Sequence, residues 1–282
     1  MEKYDLSEND LSKLHFEIKP LAPYFYRHKE KASSAHRHSF FQLLWFKESG
    51  KHYIDFEVVK HPANSVFLIN KNQVHHFCPK SSNEGLLFHF NDAFISNLSI
   101  DLLSRFTISI FSEIGDTFIK LSDKESMSFE NTSMELLSEI TEKKGNYSHI
   151  AIHQFIGLLY QIERIKKEQS SFKINSDFSK LVKFKQLIID NIDQQLSIQE
   201  FAKQLGVSSK KLTSLSKNHT SLTPATLIKE LKLLEAKRML SNQNMSIKEV
   251  AYSLGFNQPT YFTKFFKKDT KITPKQFQEQ LR

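Results

Sequence analysis

Short apolar runs separated by turn residues dominate the chain from Phe16 to Phe90. The clearest are Phe40-Phe41-Gln42-Leu43-Leu44-Trp45-Phe46, Tyr53-Ile54-Asp55-Phe56-Glu57-Val58-Val59, Ser65-Val66-Phe67-Leu68-Ile69 and Leu86-Leu87-Phe88-His89-Phe90. Short strands at such spacing predict a β-sandwich or barrel. From Asp92 to Lys167 the pattern becomes helical. Ile152, Phe155, Ile156, Leu159, Ile162 and Ile165 recur at three- and four-residue steps. Leu136, Leu137 and Ile140 mark a partner helix before a break at Lys144-Gly145-Asn146. The polar stretch 169–176 suits an interdomain linker.

Beyond the linker the pattern repeats itself. The segment from Leu196 to Val207 reads against that from Met245 to Phe256 at an offset of 49, with Ser, Ile, Glu, Ala, Leu and Gly recurring in place. After one inserted residue the match resumes at an offset of 50, through Lys217/Lys267, Thr220/Thr270, Thr223/Thr273 and Pro224/Pro274. Each copy opens on a Ser-x-x-Glu capping box, Ser197 to Glu200 and Ser246 to Glu249. Ile198, Phe201, Ala202 and Leu205 keep to one helical face, and Ala202 and Ala251 are small where a second helix must cross closely. Gly206 and Gly255 stand where the helix ends and the chain turns, a place that favours positive φ. A second short helix follows, Ser208 to Lys217 in one copy and Gln258 to Lys268 in the other.

Helix, glycine-containing turn and helix is the arrangement that places its second helix in the DNA major groove. A stacked helical-hairpin solenoid is the alternative, but solenoids need about three or more units and only two occur here. Between the copies, Thr223-Pro224 opens a helix that runs to about Leu240, a rod of roughly 25 Å. Such a spacer can hold two recognition helices about one DNA turn, ~34 Å, apart.

Charge sharpens this picture. Asp177 to Arg282 carries 18 Lys/Arg against 9 Asp/Glu, a net +9, whereas Met1 to Ser176 carries 21 against 22. A basic domain joined to a neutral one is the footprint of a polyanion-binding module. At 282 residues, 39% hydrophobic and 25% charged, the chain is long enough for two globular domains. The charged N-terminus leads into no apolar run, so no signal peptide is expected, and no stretch approaches a membrane span. The single cysteine, Cys78, fits a reducing cytoplasm and reads as a small buried hydrophobe.

Ala251-Tyr252-Ser253-Leu254-Gly255-Phe256, then Tyr261-Phe262-Thr263-Lys264-Phe265-Phe266-Lys267-Lys268 and Thr273-Pro274, resemble the C-terminal signature of the AraC/XylS family of bacterial transcription regulators. The resemblance covers roughly Phe178 to Leu281 and implies two helix-turn-helix subdomains joined by a linker helix. It carries base reading to Lys210, Thr213 and Ser214 in the first recognition helix, and to Pro259, Thr260, Thr263 and Lys264 in the second. These side chains suit guanine edges, base hydrogen bonds and thymine methyl groups. Lys211, Lys217, Lys267 and Lys268 suit phosphates. Tyr261, Phe262, Phe265 and Phe266 read as core rather than stacking platforms. Two departures stand out. Ser221 and Lys271 replace the glycine that commonly precedes each Thr-Pro, and Ser216 stands where the family often has a core aromatic.

Nine of the twelve histidines lie between His15 and His89. His36-Arg37-His38, His75-His76 and Gly50 resemble the sensory cupin-like barrel of AraC-family regulators. The Glu that follows His-x-His in metal-binding cupins is Gln42, and Asn70-Lys71-Asn72 replaces the Pro-x-Gly before the later histidine. The sequence therefore favours a metal-free effector pocket lined by His36, His38, His75 and His89, although two or three convergent imidazoles remain able to bind zinc or iron.

The expected protein is α+β. It has a cupin-like sensory barrel over 1–91, a helical dimerisation segment over 92–168 and a linker over 169–176. An all-α DNA-binding domain over 177–282 carries helix-turn-helix units at 196–217 and 245–268. The function implied is a cytoplasmic regulator that binds specific double-stranded DNA as a homodimer, senses a small molecule, and has RNA polymerase as a further partner. No catalytic residue, cofactor, bound metal or membrane is expected. A cupin-like metal oxygenase or isomerase is the alternative. Against it stand the missing Glu and Pro-x-Gly, and the absence of a nucleophile–base signature or phosphate loop. Whether activation or repression follows is not written in the sequence.

Overall fold

The computed structural model describes residues 3–4, 16–71, 73–91, 94, 106, 110, 117–169, 176–220, 222–241 and 245–280. The chain divides into two compact units, 2–172 and 173–282.

In the first unit, strand β1 (Lys3–Tyr4) pairs in parallel with β3 (Arg37–His38). Strand β2 (Phe16–Pro20) leads into helices α1 (Leu21–Arg27) and α2 (Lys29–Ala32). Strands β4 (Phe41–Phe46), β5 (Gly50–Ile54), β6 (Glu57–His61), β7 (Ser65–Ile69), β8 (His75–Phe77) and β9 (Gly85–Phe90) follow, then β10 (Phe118–Lys120). Helices α3 (Asp123–Glu142) and α4 (Tyr147–Gln169) close the unit. Among the described residues the strands form a five-stranded sheet, β10-β7-β4-β9-β2, and a three-stranded sheet, β6-β5-β8, rather than the closed cupin-like barrel that the resemblance implied.

The central strand β4 is buried along its whole length because both of its faces are covered. Phe41, Leu43 and Trp45 join Phe16, Phe88, Phe129, Phe155 and Ile162 in a core against α3 and α4. Leu44 and Phe46 point the other way, into a second core with Phe25, Ile54, Phe67 and Phe77. Period-two alternation thus sends each side chain to one of two apolar layers, and a doubly covered strand reads as a continuous apolar run. Phe155 on α4 anchors the helix side, with ring centroids 4.7 Å from Phe16 and 5.0 Å from Phe90.

Two expectations for this unit need correcting. The run Tyr53 to Val59 is two strands: Ile54 pairs with Glu57 across a two-residue turn in which Asp55 and Phe56 both have positive φ, 47° and 75°. Positive φ at both central residues is the hairpin turn whose twist matches the flanking strands. In the region expected to be wholly helical, Phe118–Lys120 instead pairs with β7. Residues 92–93, 95–105, 107–109 and 111–116, also expected to be helical, lie outside the described residues. The helix pair itself falls where the apolar steps placed it, with Lys143 and Asn146 taking left-handed backbone at the break.

The second unit is helical: α5 (Ser176–Asp190), α6 (Ile198–Gln204), α7 (Ser209–Thr220), α8 (Pro224–Leu240), α9 (Ile247–Ser253), α10 (Pro259–Thr270) and α11 (Pro274–Gln280). Gln169 and Ser176, the ends of the expected linker, belong to α4 and α5, and 170–175 lie outside the described residues. Thr223 caps α8 through the Thr226 amide, with Pro224 in the first turn. The rod packs on both sides: Leu227 and Leu231 are buried, and Ala236 and Leu240 enter the core around Val250, Phe262 and Phe266. Such a helix carries no single apolar stripe.

Candidate DNA-binding surface and histidine cluster

Both helix-turn-helix units are built by the same local chemistry. The Ser197 hydroxyl accepts from the Glu200 amide at 3.3 Å, and the Glu200 carboxylate accepts from the Ser197 amide at 2.6 Å. Ser246 and Glu249 do the same at 3.2 and 2.7 Å. These bonds hold both carboxyls below the usual carboxylate range, foremost through the serine backbone. Both first helices end alike: the Val207 and Phe256 amides reach back to the Ala202 and Ala251 carbonyls at 3.0 Å, around Gly206 (φ 64°) and Gly255 (φ 75°). Ala202 and Ala251 are buried, as close helix crossing requires.

Each second helix buries one face and exposes the other. On α7, Leu212, Leu215 and Ser216 point inward, while Lys210, Lys211, Ser214 and Lys217 are exposed. On α10, Phe262 and Phe266 point inward, while Thr260, Lys264, Lys267 and Lys268 are exposed. Thr213, Pro259 and Thr263 sit half-buried at the edge of that face. Thr213 donates its hydroxyl proton to the Ser209 carbonyl at 2.9 Å and Thr263 to Pro259 at 3.0 Å. With its proton so engaged, each hydroxyl keeps lone pairs able to accept from an adenine or cytosine amino group. Lys211 pairs with Asp177 at 2.6 Å. Exposed pairs of this kind are weak, so a phosphate can displace the carboxylate.

Sequence reading placed Tyr261 in the core, but its side chain is 58% exposed beside Thr260. Its neighbour Phe262 takes the inward position one residue on, so Tyr261 lies outside the apolar stripe. Ser216 replaces the missing aromatic in a specific way. Buried, it donates to the Leu222 carbonyl at 2.8 Å, whereas in the second unit Thr270 donates to the corresponding Ile272 carbonyl at 2.9 Å. The same backbone acceptor is satisfied from two different positions. Lys271, the other departure, holds a left-handed φ of 67° at the end of α10, and Ser221 lies outside the described residues.

In the first unit the structure brings His36, His38, His75 and His89 together, all buried. Inward-facing positions of the two sheets converge here. Gln42 on β4 pairs across the ladder with His89 on β9, and His89 with Glu17 on β2. From the other sheet come His52 and His75, and a backbone bridge joins His36 to His75. The side chains form a chain of contacts: His52 Nε2 to His75 Nδ1, 3.1 Å; His75 Nε2 to His38 Nε2, 2.9 Å; Gln42 Nε2 to His38 Nε2, 3.1 Å, and to His89 Nε2, 2.7 Å. His89 Nδ1 ends the chain on the Glu17 carboxylate at 3.3 Å.

Burial holds His38, His52 and His75 well below the ordinary imidazole range, and their histidine neighbours add to the effect. His89 is also lowered by burial, against the pull of Glu17. Burial works to raise the Glu17 carboxyl, but hydrogen bonds from His89 and Lys19 outweigh it and bring it to about 2. The cluster is thus neutral imidazole closed by one carboxylate. His52 was missed in the sequence; its signal was the alternation His52, Ile54 on the inward face of β5.

Residues 201–280 match the family described as "Helix-turn-helix domain". The chain is 24% identical to the HTH-type transcriptional activator RhaR of Mannheimia succiniciproducens, over 89% of each protein. It is 34% identical to Histidine kinase P4 of Formosa agariphila over 33% of this chain but only 7% of that protein. Among solved structures, a transcriptional regulator with an AraC-type DNA-binding domain from Chromobacterium violaceum is 28% identical, covering 36% of this chain and 91% of that one with a TM-score of 0.34. The duplicated helix-turn-helix geometry and the matched domain agree: residues 201–280 form a helix-turn-helix domain, and the chain as a whole is similar to the transcriptional activator RhaR.

Proposed function

We propose that this protein is a cytoplasmic transcription activator that binds specific DNA sequences through α7 and α10, under the control of a ligand bound in its first unit. One observation carries the DNA reading: two capping-box units present outward faces that bear Lys210, Ser214, Thr260 and Lys264. With Thr213, Pro259 and Thr263 these are the base-reading set, and Lys211, Lys217, Lys267 and Lys268 hold phosphates. The rod α8 sets the spacing of the two readers.

Residues 1–91 form the ligand-binding part, a cupin-like arrangement of two facing sheets whose histidines line the site. Residues 92–168 supply the dimerisation surface. Met127 and Met134 on α3, and Ile150 and Tyr160 on α4, are exposed large apolar side chains of the kind a second copy would cover. Among the described residues no helix is long and apolar enough to cross a membrane. Activation would proceed through RNA polymerase recruited beside the bound duplex.

The test is selection of genomic fragments by the purified full chain at controlled salt. The expected result is enrichment of a shared sequence bound about a thousandfold or more tighter than bulk DNA. Uniform binding to all fragments overturns the reading. Lys264→Ala should weaken binding to the selected site by about 1–3 kcal/mol. An unchanged isotherm removes Lys264 from the base-reading set.

A further inference from the structure

We propose that residues 191–195, which lead into the first helix-turn-helix unit, clasp the turn of the second at Gly255-Phe256 and so fix the angle between α7 and α10, restricting the protein to DNA sites of one half-site spacing. Ile192, Gln195 and Lys232 are the positioning residues of this clasp. The proposal deepens the DNA-binding reading and rests on it. The rod α8 sets the distance between the two readers, but a helix of 17 residues flexes and offers no restraint off its own axis. A second, direct contact between the readers removes that freedom, and an angle fixed before binding lowers the ordering cost on a matching site.

Ile192 precedes the first reader in sequence, yet its side chain packs against the apolar core of the second, around Ala236, Leu254 and Phe262. Beside it the Asp193 backbone lies against Gly255: a Cβ there would stand 1.9 Å from the Asp193 carbonyl oxygen and 2.5 Å from its carbon. The equivalent glycine of the first reader, Gly206, would meet nothing within 4 Å. Both glycines take left-handed backbone for their turns, but only Gly255 also seats a neighbouring segment. The Gln195 side-chain amide donates to the Gly255 carbonyl at 3.5 Å. The segment that presents these groups is itself held in shape. Asn191 donates its side-chain amide to the Leu187 carbonyl at 2.8 Å, and the Gln194 backbone amide donates to the Asn191 carbonyl at 3.0 Å.

The rod supplies the third part. Lys232 Nζ stands 5.4 Å from the centroid of the Phe256 ring, an attraction between cation and aromatic face. Burial holds the Lys232 ammonium below its usual range, while the Asp193 carboxylate pulls the other way. Phe256 in turn packs on Phe262 and Phe265 of α10, at centroid distances of 5.5 and 5.3 Å. In the first reader Val207 stands in the place of Phe256. Contacts therefore run unbroken from the entry of one reader to the recognition helix of the other, and the repeat departs from itself at Phe256, where the clasp needs a ring.

The experiment uses the full chain carrying Ile192→Ala/Gln195→Ala/Lys232→Gln, with Gln194→Ala, an exposed neighbour, as control. Unfolding curves accompany every variant; if the triple variant does not fold, Gln195→Ala/Lys232→Gln, which leaves the apolar core intact, takes its place. In the first measurement the single cysteine is removed by Cys78→Ser, and spin labels are attached at Gln199→Cys and Lys248→Cys, equivalent exposed positions on α6 and α9. Pulsed dipolar spectroscopy without DNA should give one narrow distance distribution in the otherwise unaltered chain and in the control, and a broader one in the clasp variant. In the second, affinity is measured for a selected site, for an isolated half-site, and for the site with one base pair added or removed between its halves. One base pair turns the halves by roughly 35°, and wild-type affinity should fall about tenfold or more. The clasp variant should reduce that discrimination to about threefold or less, with half-site affinity unchanged. An unbroadened distribution in a folded clasp variant, or wild-type spacing discrimination retained by it, overturns the proposal. So does broadening in the control, or loss of half-site binding together with discrimination, the mark of a merely structural role. Should the wild type select no sequence at all, the regulator reading falls, while the spin-label distances, which need no DNA, still decide whether the clasp holds.

Discussion

Gly206 and Gly255 occupy equivalent positions with left-handed backbone, yet they differ in surroundings. A Cβ on Gly255 would stand 1.9 Å from the Asp193 carbonyl oxygen, whereas one on Gly206 would meet nothing within 4 Å. Gly206→Ala should therefore cost only the left-handed penalty, about 1 kcal/mol. Gly255→Ala adds a backbone collision and should cost roughly 2–4 kcal/mol. Equal losses in denaturant unfolding of the two variants would refute this distinction. Lys271 shows the converse. It holds φ 67° with a side chain attached, so Lys271→Gly should stabilise the second helix-turn-helix unit by about 0.5–1 kcal/mol. A lowered unfolding midpoint would contradict that. Both glycines were legible from sequence because a helix end demands them. The Ser216 hydroxyl bond was not, since its acceptor lies in the turn beyond the helix.

At the scale of elements, local signals carried the second unit and non-local pairing limited the first. Capping boxes, Thr223-Pro224 and the apolar stripes of α6 and α9 lie within a few residues of what they determine. The hairpin at Asp55-Phe56 was hidden because neither residue advertises positive φ as Asn-Gly would. Strand β10 was hidden because its reason to be extended is β7, some fifty residues away in the chain. The grouping of His36, His38, His75 and His89 was visible, but the links through His52, Gln42 and Glu17 depended on sheet pairing. A pH prediction belongs to these sheets. Histidines 38, 52, 75 and 89 have folded-state pKa values depressed by burial, and His76 is lowered to about 4. Below about pH 6.5 the unfolded chain takes up protons the folded metal-free unit refuses, so stability is full above that pH and falls towards pH 4. Trp45, the single tryptophan, is buried in this unit and reports on it alone. Its fluorescence midpoint in urea should drop between pH 7.5 and 5; a constant midpoint would contradict neutral buried imidazoles.

At the scale of the whole molecule, a basic helical unit and a nearly neutral sheet-and-helix unit share one chain. Positive charge concentrates where two polar helix faces are displayed, and the buried polar network lies in the other unit. That division matches a DNA reader joined to a ligand-binding part. The charge imbalance and the repeat made the division readable from sequence, because both are properties of composition and local order. Strand spacing left a sandwich and a barrel open, and the barrel implied by the cupin-like resemblance went too far, because short apolar runs do not specify closure. Salt dependence follows from the proposed phosphate contacts of Lys211, Lys217, Lys267 and Lys268: replacing any one of them by alanine should reduce the slope of log affinity against log salt by about one. An unaltered slope would take that lysine off the phosphate backbone.

The most direct test of two readers set by one rod is a hydroxyl-radical and methylation-interference footprint of the full chain on a selected site. The account predicts protection in two major grooves about one turn, 10–10.5 base pairs, apart on one face of the duplex, with the first abolished by mutating Lys210 and Ser214 and the second by mutating Thr260 and Lys264. Protection of a single groove, or of two that both survive those mutations, would contradict it.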